Sequence, residues 1–210
     1  MHVDTTLLPI DENASLDIAA AVIKQGDLVA FPTDTVYGLG ADPFNPEAVH
    51  KLYAVKERIS SKAIPILLGA ESDLAKVAGP LSDAAFRLME RFWPGALTII
   101  VPRHPDLPVD LSGLNTVGVR LPDLASARAL LLKTGPLAVT SANRSGVFEP
   151  CTAEAVQDQL SGRIAWILDG GSTPGGSPST VIDVTGGEPV VLREGPITKK
   201  QLHQALRTSN

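Results

Sequence analysis

The chain has 210 residues, 44% of them apolar and 20% charged, with a formal charge of −5. This length and balance suit a globular protein with one packed core. The acidic excess argues against broad electrostatic binding to nucleic acid, although a local basic groove stays open. No run of about 18 apolar residues occurs, so no membrane-spanning helix is expected.

Ala14 to Gln25 carries Leu16, Ala19, Ala20 and Ile23 at helical spacing, with Gly26 as the stop. Leu28 to Phe31 reads as a buried strand. Asn45 is placed to cap a helix that opens on Pro46, runs along Ala48, Leu52 and Val55, and ends near Lys56-Glu57-Arg58. A strand is expected over Ile64 to Leu68, a weak helix around Asp73 to Val77, and a stronger one from Ser82 to Phe92, closed by Trp93-Pro94-Gly95. Strands follow at Ala96 to Val101 and Thr116 to Leu121, then a helix capped by Asp123 that runs to Lys133 before Gly135. Leu137 to Thr140 is a strand, Thr152 to Leu160 a helix, and Ile164 to Leu168 a strand. Thr180 to Val184 and Pro189 to Arg193 pair across a Thr185-Gly186-Gly187-Glu188 hairpin signal, and Thr198 caps a last helix. Strands and helices alternate without strict regularity. The expected architecture is therefore α/β, a single domain over residues 1–210 with one twisted sheet of mixed parallel and antiparallel strands and helices on its faces.

Two polar clusters stand directly after predicted strands, where α/β sheets bind ligands. One is Pro32-Thr33-Asp34-Thr35-Val36-Tyr37-Gly38-Leu39-Gly40-Ala41-Asp42; the other is Thr140-Ser141-Ala142-Asn143-Arg144-Ser145-Gly146. Small hydroxyl and amide side chains at a strand mouth suit phosphate and carboxylate. Lys56 and Arg58 either complement the negative end of their helix or reach into the crevice to hold a polyphosphate. Arg120 and Arg193, each beside an apolar strand, must find an anion: a ligand or a protein carboxylate. Gly170 to Ser179 lacks the Gly-Lys-Ser/Thr ending of a Walker loop and reads as a mobile loop over the site. Ser179 and Thr180 either donate hydroxyls to a ligand or merely begin a strand.

The histidines (His2, His50, His104 and His203) have no metal-ligand spacing, and no Gly-x-Ser-x-Gly elbow marks Ser141 as a nucleophile. Cys151 is the single cysteine, so no internal disulfide can form. With no secretory signal in Met1-His2-Val3-Asp4, a cytoplasmic location is expected.

In order, motifs beginning at Pro32, Lys56, Trp93, Val117, Ser141, Ser179 and Leu192 resemble those of the threonylcarbamoyl-AMP synthases, the YrdC-like family, in its short single-domain form. The resemblance implies a concave basic cleft and a reaction of L-threonine, bicarbonate and ATP to threonylcarbamoyl-adenylate and pyrophosphate. It also implies a downstream tRNA threonylcarbamoyl transferase complex, a weak tRNA contact, and magnesium accompanying ATP with no protein ligands assignable. The family's set falls on Lys56, Arg58, Ser141 and Asn143 as catalytic residues. ATP contacts fall on Lys56, Arg58, Thr116, Ser141 and Arg193, and threonine contacts on Thr33, Thr35, Arg120, Thr140 and Ser179. Three positions depart from the pattern: Asp34 replaces a longer Glu, Ile59 a Pro, and Leu67 a His that contacts threonine. The alternative of a non-catalytic RNA-binding module of the same fold is disfavoured by the low aromatic content, 4%. A carbamoyl-transferring maturation domain shares the fold but normally sits in a much longer chain.

Overall fold

The computed structural model describes residues 3–57, 63–108, 111 and 113–207. These contain strands β1 (Thr6–Pro9), β2 (Val29–Phe31), β3 (Gly38–Ala41), β4 (Ile66–Leu67), β5 (Leu97–Pro102), β6 (Thr116–Arg120), β7 (Leu137–Ser141), β8 (Trp166–Asp169), β9 (Thr180–Asp183) and β10 (Val190–Arg193). The helices are α1 (Asn13–Lys24), α2 (Pro46–Lys56), α3 (Leu74–Val77), α4 (Asp83–Phe92), α5 (Ala125–Thr134), α6 (Ala153–Leu160) and α7 (Lys199–Arg207). All the strands join one sheet in the order β1-β8-β2-β3-β7-β4-β6-β5-β9-β10. Four neighbours run parallel (β1 with β8, β2 with β8, β4 with β6, β5 with β9) and the others antiparallel, so the sheet is mixed as expected.

Local chemistry sets the helix ends. The Asn45 side chain accepts from the Glu47 and Ala48 amides at 3.0 and 3.3 Å, with Pro46 at the first helical position. Ser82 and Thr152 cap α4 and α6 in the same way. Asp123 does not cap α5. Leu124 holds the cap position with no side-chain bond, and the Asp123 carboxylate instead accepts from Arg128 at 3.2 Å.

Strand alternation divides the core into two layers. Leu39, Ala41, Ile66, Leu97, Ile99, Val117, Val119 and Ile182 pack with residues of α2, α4, α6 and α7 on one face. Each fully buried Leu or Ile there contributes about 1.5–3 kcal/mol of burial. On the other face Val29, Phe31, Leu67, Leu137, Val139 and Leu168 pack against α1 and α5. Those two helices cover only the β1 to β4 half. Over β6, β5 and β9 no helix of that layer is present among the described residues, and the alternate positions Thr98, Ile100, Gly118, Arg120 and Val181 line a cavity instead. The half-covered sheet is what creates the site.

Two strands depart from expectation. β1 is a short edge strand ending in proline, and β3 is Gly-Leu-Gly-Ala, a composition with little strand preference. β3 exists because it is paired on both sides, Phe31 with Gly38 and Gly38 with Ser141. The first polar cluster after β2 therefore spans the connection at 32–37 and runs on into β3 itself.

Candidate active site

One cavity, about 260 Å³, lies on the uncovered sheet face. Gly118 forms part of its floor, where a Cβ would meet Thr98 Cγ2 at 3.0 Å, so a side chain there would fill the space a ligand needs. A second cavity of about 360 Å³ is bounded by Lys56, Asn143 and the segment from Ser145 to Glu149. Ser141 and Glu149 line both, so the two spaces share a wall.

Arg120 organises the first cavity. It ends β6 only 5% exposed. Its guanidinium donates to Gly95 O through Nε at 3.0 Å and to Thr35 Oγ1 through Nη1 at 3.0 Å, and it is bonded to Asp34 Oδ1 through Nη2. Three of its five N–H donors are so engaged. Asp34 is itself buried, so the pair neutralises a cation that could not stay unpaired there. The shorter Asp side chain thus has ample reach.

The neighbouring threonines form a directed chain. Thr33 Oγ1 donates to Val36 O at 2.7 Å and accepts the Thr35 and Val36 amides at 3.2 and 3.3 Å. With its one proton spent, the 2.9 Å contact between the two hydroxyls runs from Thr35 to Thr33, and Thr35 accepts from Arg120. Thr33 is therefore committed to the turn, while Thr35 couples that turn to the guanidinium.

Lys56 organises the second cavity from below. Only 2% exposed, its ammonium is bonded to Ser141 O, to Asn143 O at 2.5 Å and to Asn143 Oδ1 at 3.0 Å. Asn143 Oδ1 also accepts from Ser141 Oγ at 2.6 Å, and its Nδ2 donates to Val147 O at 2.6 Å. The next residue, Glu57, ends α2 with φ of 54° and pairs with Arg144 at 3.0 Å and Arg163 at 2.8 Å. Those arginines, Arg144 foremost, hold its carboxyl below the usual value. Lys56 is thus bound into the Ser141–Asn143 loop rather than projecting into open space.

Ser179 and Arg193 close the far wall. Arg193 donates to Ser179 O at 3.0 and 2.8 Å, and Ser179 Oγ lies 2.8 Å from Thr98 Oγ1. The glycine-rich segment before Ser179 packs onto the Thr33–Thr35 turn. Gly176 N donates to Thr35 O at 3.0 Å, and a Cβ on Gly175 would fall 2.6 Å from Asp34 O, so only glycine permits this approach. Tyr37, fully buried, donates to Gly171 O at 2.8 Å and accepts from Gly170 N at 3.2 Å. The loop read as mobile is thus tied to the site at several points.

Of the residues singled out from the sequence, Thr33, Thr35, Arg120, Thr140, Ser141, Ser179 and Arg193 line the first cavity, and Lys56, Ser141 and Asn143 the second. Thr116 lines neither, but it shares a face of β6 with Gly118 and Arg120 two and four residues on. Arg58 and Ile59 lie outside the described residues. Leu67 lines the first cavity as an apolar wall. Asp34, Tyr37, Thr98 and Glu149 were given no role at the site from the sequence, although Asp34 and Tyr37 stand in the first polar cluster. Only Asp34 left a signal, since an arginine in an apolar strand required some anion.

Asp34→Ala leaves Arg120 buried without its counter-charge and is expected to cost about 3–5 kcal/mol in denaturant unfolding. The double variant Asp34→Ala/Arg120→Met should recover part of that loss, and a single-variant cost below about 1 kcal/mol would show the pair to be incidental. Burial pushes the Tyr37 phenol from 10.0 up to about 12. An unfolded chain loses that proton first, so stability present below pH 10 declines as pH rises toward 12. Tyr37→Phe should flatten that decline, measured by unfolding at stepped alkaline pH.

Residues 21–195 match the model of the Sua5/YciO/YrdC family, described as "Telomere recombination". The chain is 46% identical over 191 residues to the threonylcarbamoyl-AMP synthase of Bacillus subtilis strain 168, which covers 90% of this chain and 55% of that protein. It thus spans little more than half the length of that relative. The crystal structure of Pyrococcus abyssi Sua5 complexed with L-threonine superposes with a TM-score of 0.90 at 36% identity, covering 98% of this chain and 61% of that one. Escherichia coli YciO superposes with a TM-score of 0.82 at 26% identity, covering 95% and 98% respectively. With a family match across most of its length and its sheet shared with these solved structures, the chain belongs to the Sua5/YciO/YrdC family.

Proposed function

We propose that this chain is a threonylcarbamoyl-AMP synthase, which converts L-threonine, bicarbonate and ATP to threonylcarbamoyl-adenylate and pyrophosphate. One observation carries the reading: two cavities of a size for small ligands share Ser141 and Glu149 as a common wall, which brings an amino acid in one beside a nucleotide in the other. The activity named for the Bacillus relative and the threonine held by the Pyrococcus structure support the same assignment.

The threonine amine, as the free base, bonds to the bicarbonate carbon while a C–O bond breaks and water leaves, which gives a carbamate. A carbamate oxygen then bonds to the α-phosphorus of ATP while the bond from that phosphorus to the bridging oxygen breaks, releasing pyrophosphate. Catalysis of such a step is mostly positioning and stabilisation of growing charge. In the first cavity, Arg120, Thr140 and Ser179 bind the amino acid, with Thr33 and Thr35 fixing the turn that holds Arg120. In the second, Ser141 and the loop to Gly146 receive the phosphates, while Arg193 from the wall of the first cavity, Thr116 from the end of β6, and Arg58 supply further ATP contacts. Lys56 and Asn143 act by holding the Ser141 loop in shape, so Lys56 is a positioning residue before it is a phosphate ligand.

Magnesium would accompany ATP and would offset the charge of its phosphates. Among the described residues no group of three His, Cys, Asp or Glu gathers as a metal site, and no protein ligand is assigned to the ion. The product passes to a tRNA threonylcarbamoyl transferase complex, with a weak tRNA contact and a cytoplasmic setting. No helix among the described residues is long and apolar enough to cross a membrane.

The purified chain is expected to release pyrophosphate and form an AMP-linked product only when L-threonine, bicarbonate and ATP are all present. Pyrophosphate release that ignores threonine, or no turnover with all three, would overturn the assignment.

A further inference from the structure

Glu149 is the one acidic residue in the lining of either cavity, and it lines both. It is half-buried at the end of the Ser145–Glu149 segment. Among the described residues its carboxylate has no ion pair or hydrogen bond. Asp34, the other nearby carboxylate, is paired with Arg120 and is not among the lining residues of either cavity.

An α-amino acid arrives from water as a zwitterion. A site that encloses it has to provide donors for the carboxylate and an acceptor for the ammonium, since either charge left unmet is costly. Donors are abundant: Arg120 retains two N–H groups beyond its three bonds, and the Ser179 and Thr140 hydroxyls line the same space. Acceptors are scarce. The Ser141 and Asn143 carbonyls, which would suit an ammonium, already hold that of Lys56. The Thr35 carbonyl is occupied by Gly176 N and the Val36 carbonyl by Thr33.

We propose that Glu149 accepts the α-ammonium of the amino-acid substrate. Its place where the cavities meet sets the substrate nitrogen, and hence the carbamate formed on it, beside the nucleotide space. This inference rests on the synthase reading and adds the residue that recognises the amine.

Calorimetric titration of the chain with L-threonine, and separately with 2,3-dihydroxybutyrate, which carries a hydroxyl in place of the amine, tests it. Glu149→Gln is expected to weaken threonine binding by about tenfold or more, the scale of a charge-assisted hydrogen bond. Binding of the deaminated analogue and of ATP should be unchanged, and Glu149→Asp should restore part of the threonine affinity. A thermal melt of each variant accompanies the titrations. Unchanged threonine affinity in folded Glu149→Gln, or an equal loss for both ligands, overturns the assignment of Glu149 and leaves the synthase reading standing. Failure of the unaltered chain to bind threonine at all sinks that reading and this inference together.

Discussion

A guanidinium buried at the end of a strand dictates much of this site. Arg120 cannot sit at the edge of the sheet floor without acceptors around it, and two separate stretches of chain supply them: Asp34 and Thr35 from the β2–β3 turn and Gly95 from the segment before β5. The turn is held in the shape that presents Asp34 and Thr35 by the Thr33 hydroxyl, and the glycine-rich segment packs against its other side through Gly175 and Gly176. A network that fixes the guanidinium through three of its N–H groups is rigid, and rigidity is what a ligand site gains from it.

The second node works on the same principle with a different cation. Lys56 arrives at the end of α2, where the helix favours positive charge, and passes that charge to carbonyls of the Ser141–Asn143 loop. Of the two readings of this lysine from the sequence, its place at the end of a helix is met, and its ammonium is bound to Ser141 and Asn143. Its contact with the ligand space runs through the loop that it shapes. Glu57, Arg144 and Arg163 brace the same junction from outside.

The fold was legible where local chemistry decides it. Asn45 with Pro46 announces α2, and the alternation of Leu97, Ile99 and Val101 against Thr98 and Ile100 announces a strand with two unlike faces. It was not legible where pairing overrides composition, as in β3, whose glycines weaken any strand signal yet whose two neighbours leave it no other conformation. Asp123 misled because a capping side chain and an arginine partner one turn on compete for the same carboxylate. For the site, the ordered motifs named polar residues of both linings, Arg120 and Ser179 in one and Lys56 and Asn143 in the other. The roles of Asp34 and Glu149 depend on a contact across 86 residues in one case and on the meeting of two cavities in the other, neither of which linear spacing encodes.

One wall, Ser141 with Glu149, would divide an amino-acid space from a nucleotide space. In a crystal structure of the chain with L-threonine and a non-hydrolysable ATP analogue, threonine is expected over Gly118 between Arg120 and Ser179, and the triphosphate against the Ser141–Gly146 loop, with the α-phosphorus facing the amine. Ligands bound on another face, or both chemistries crowded into one cavity with the other left open, would contradict this division.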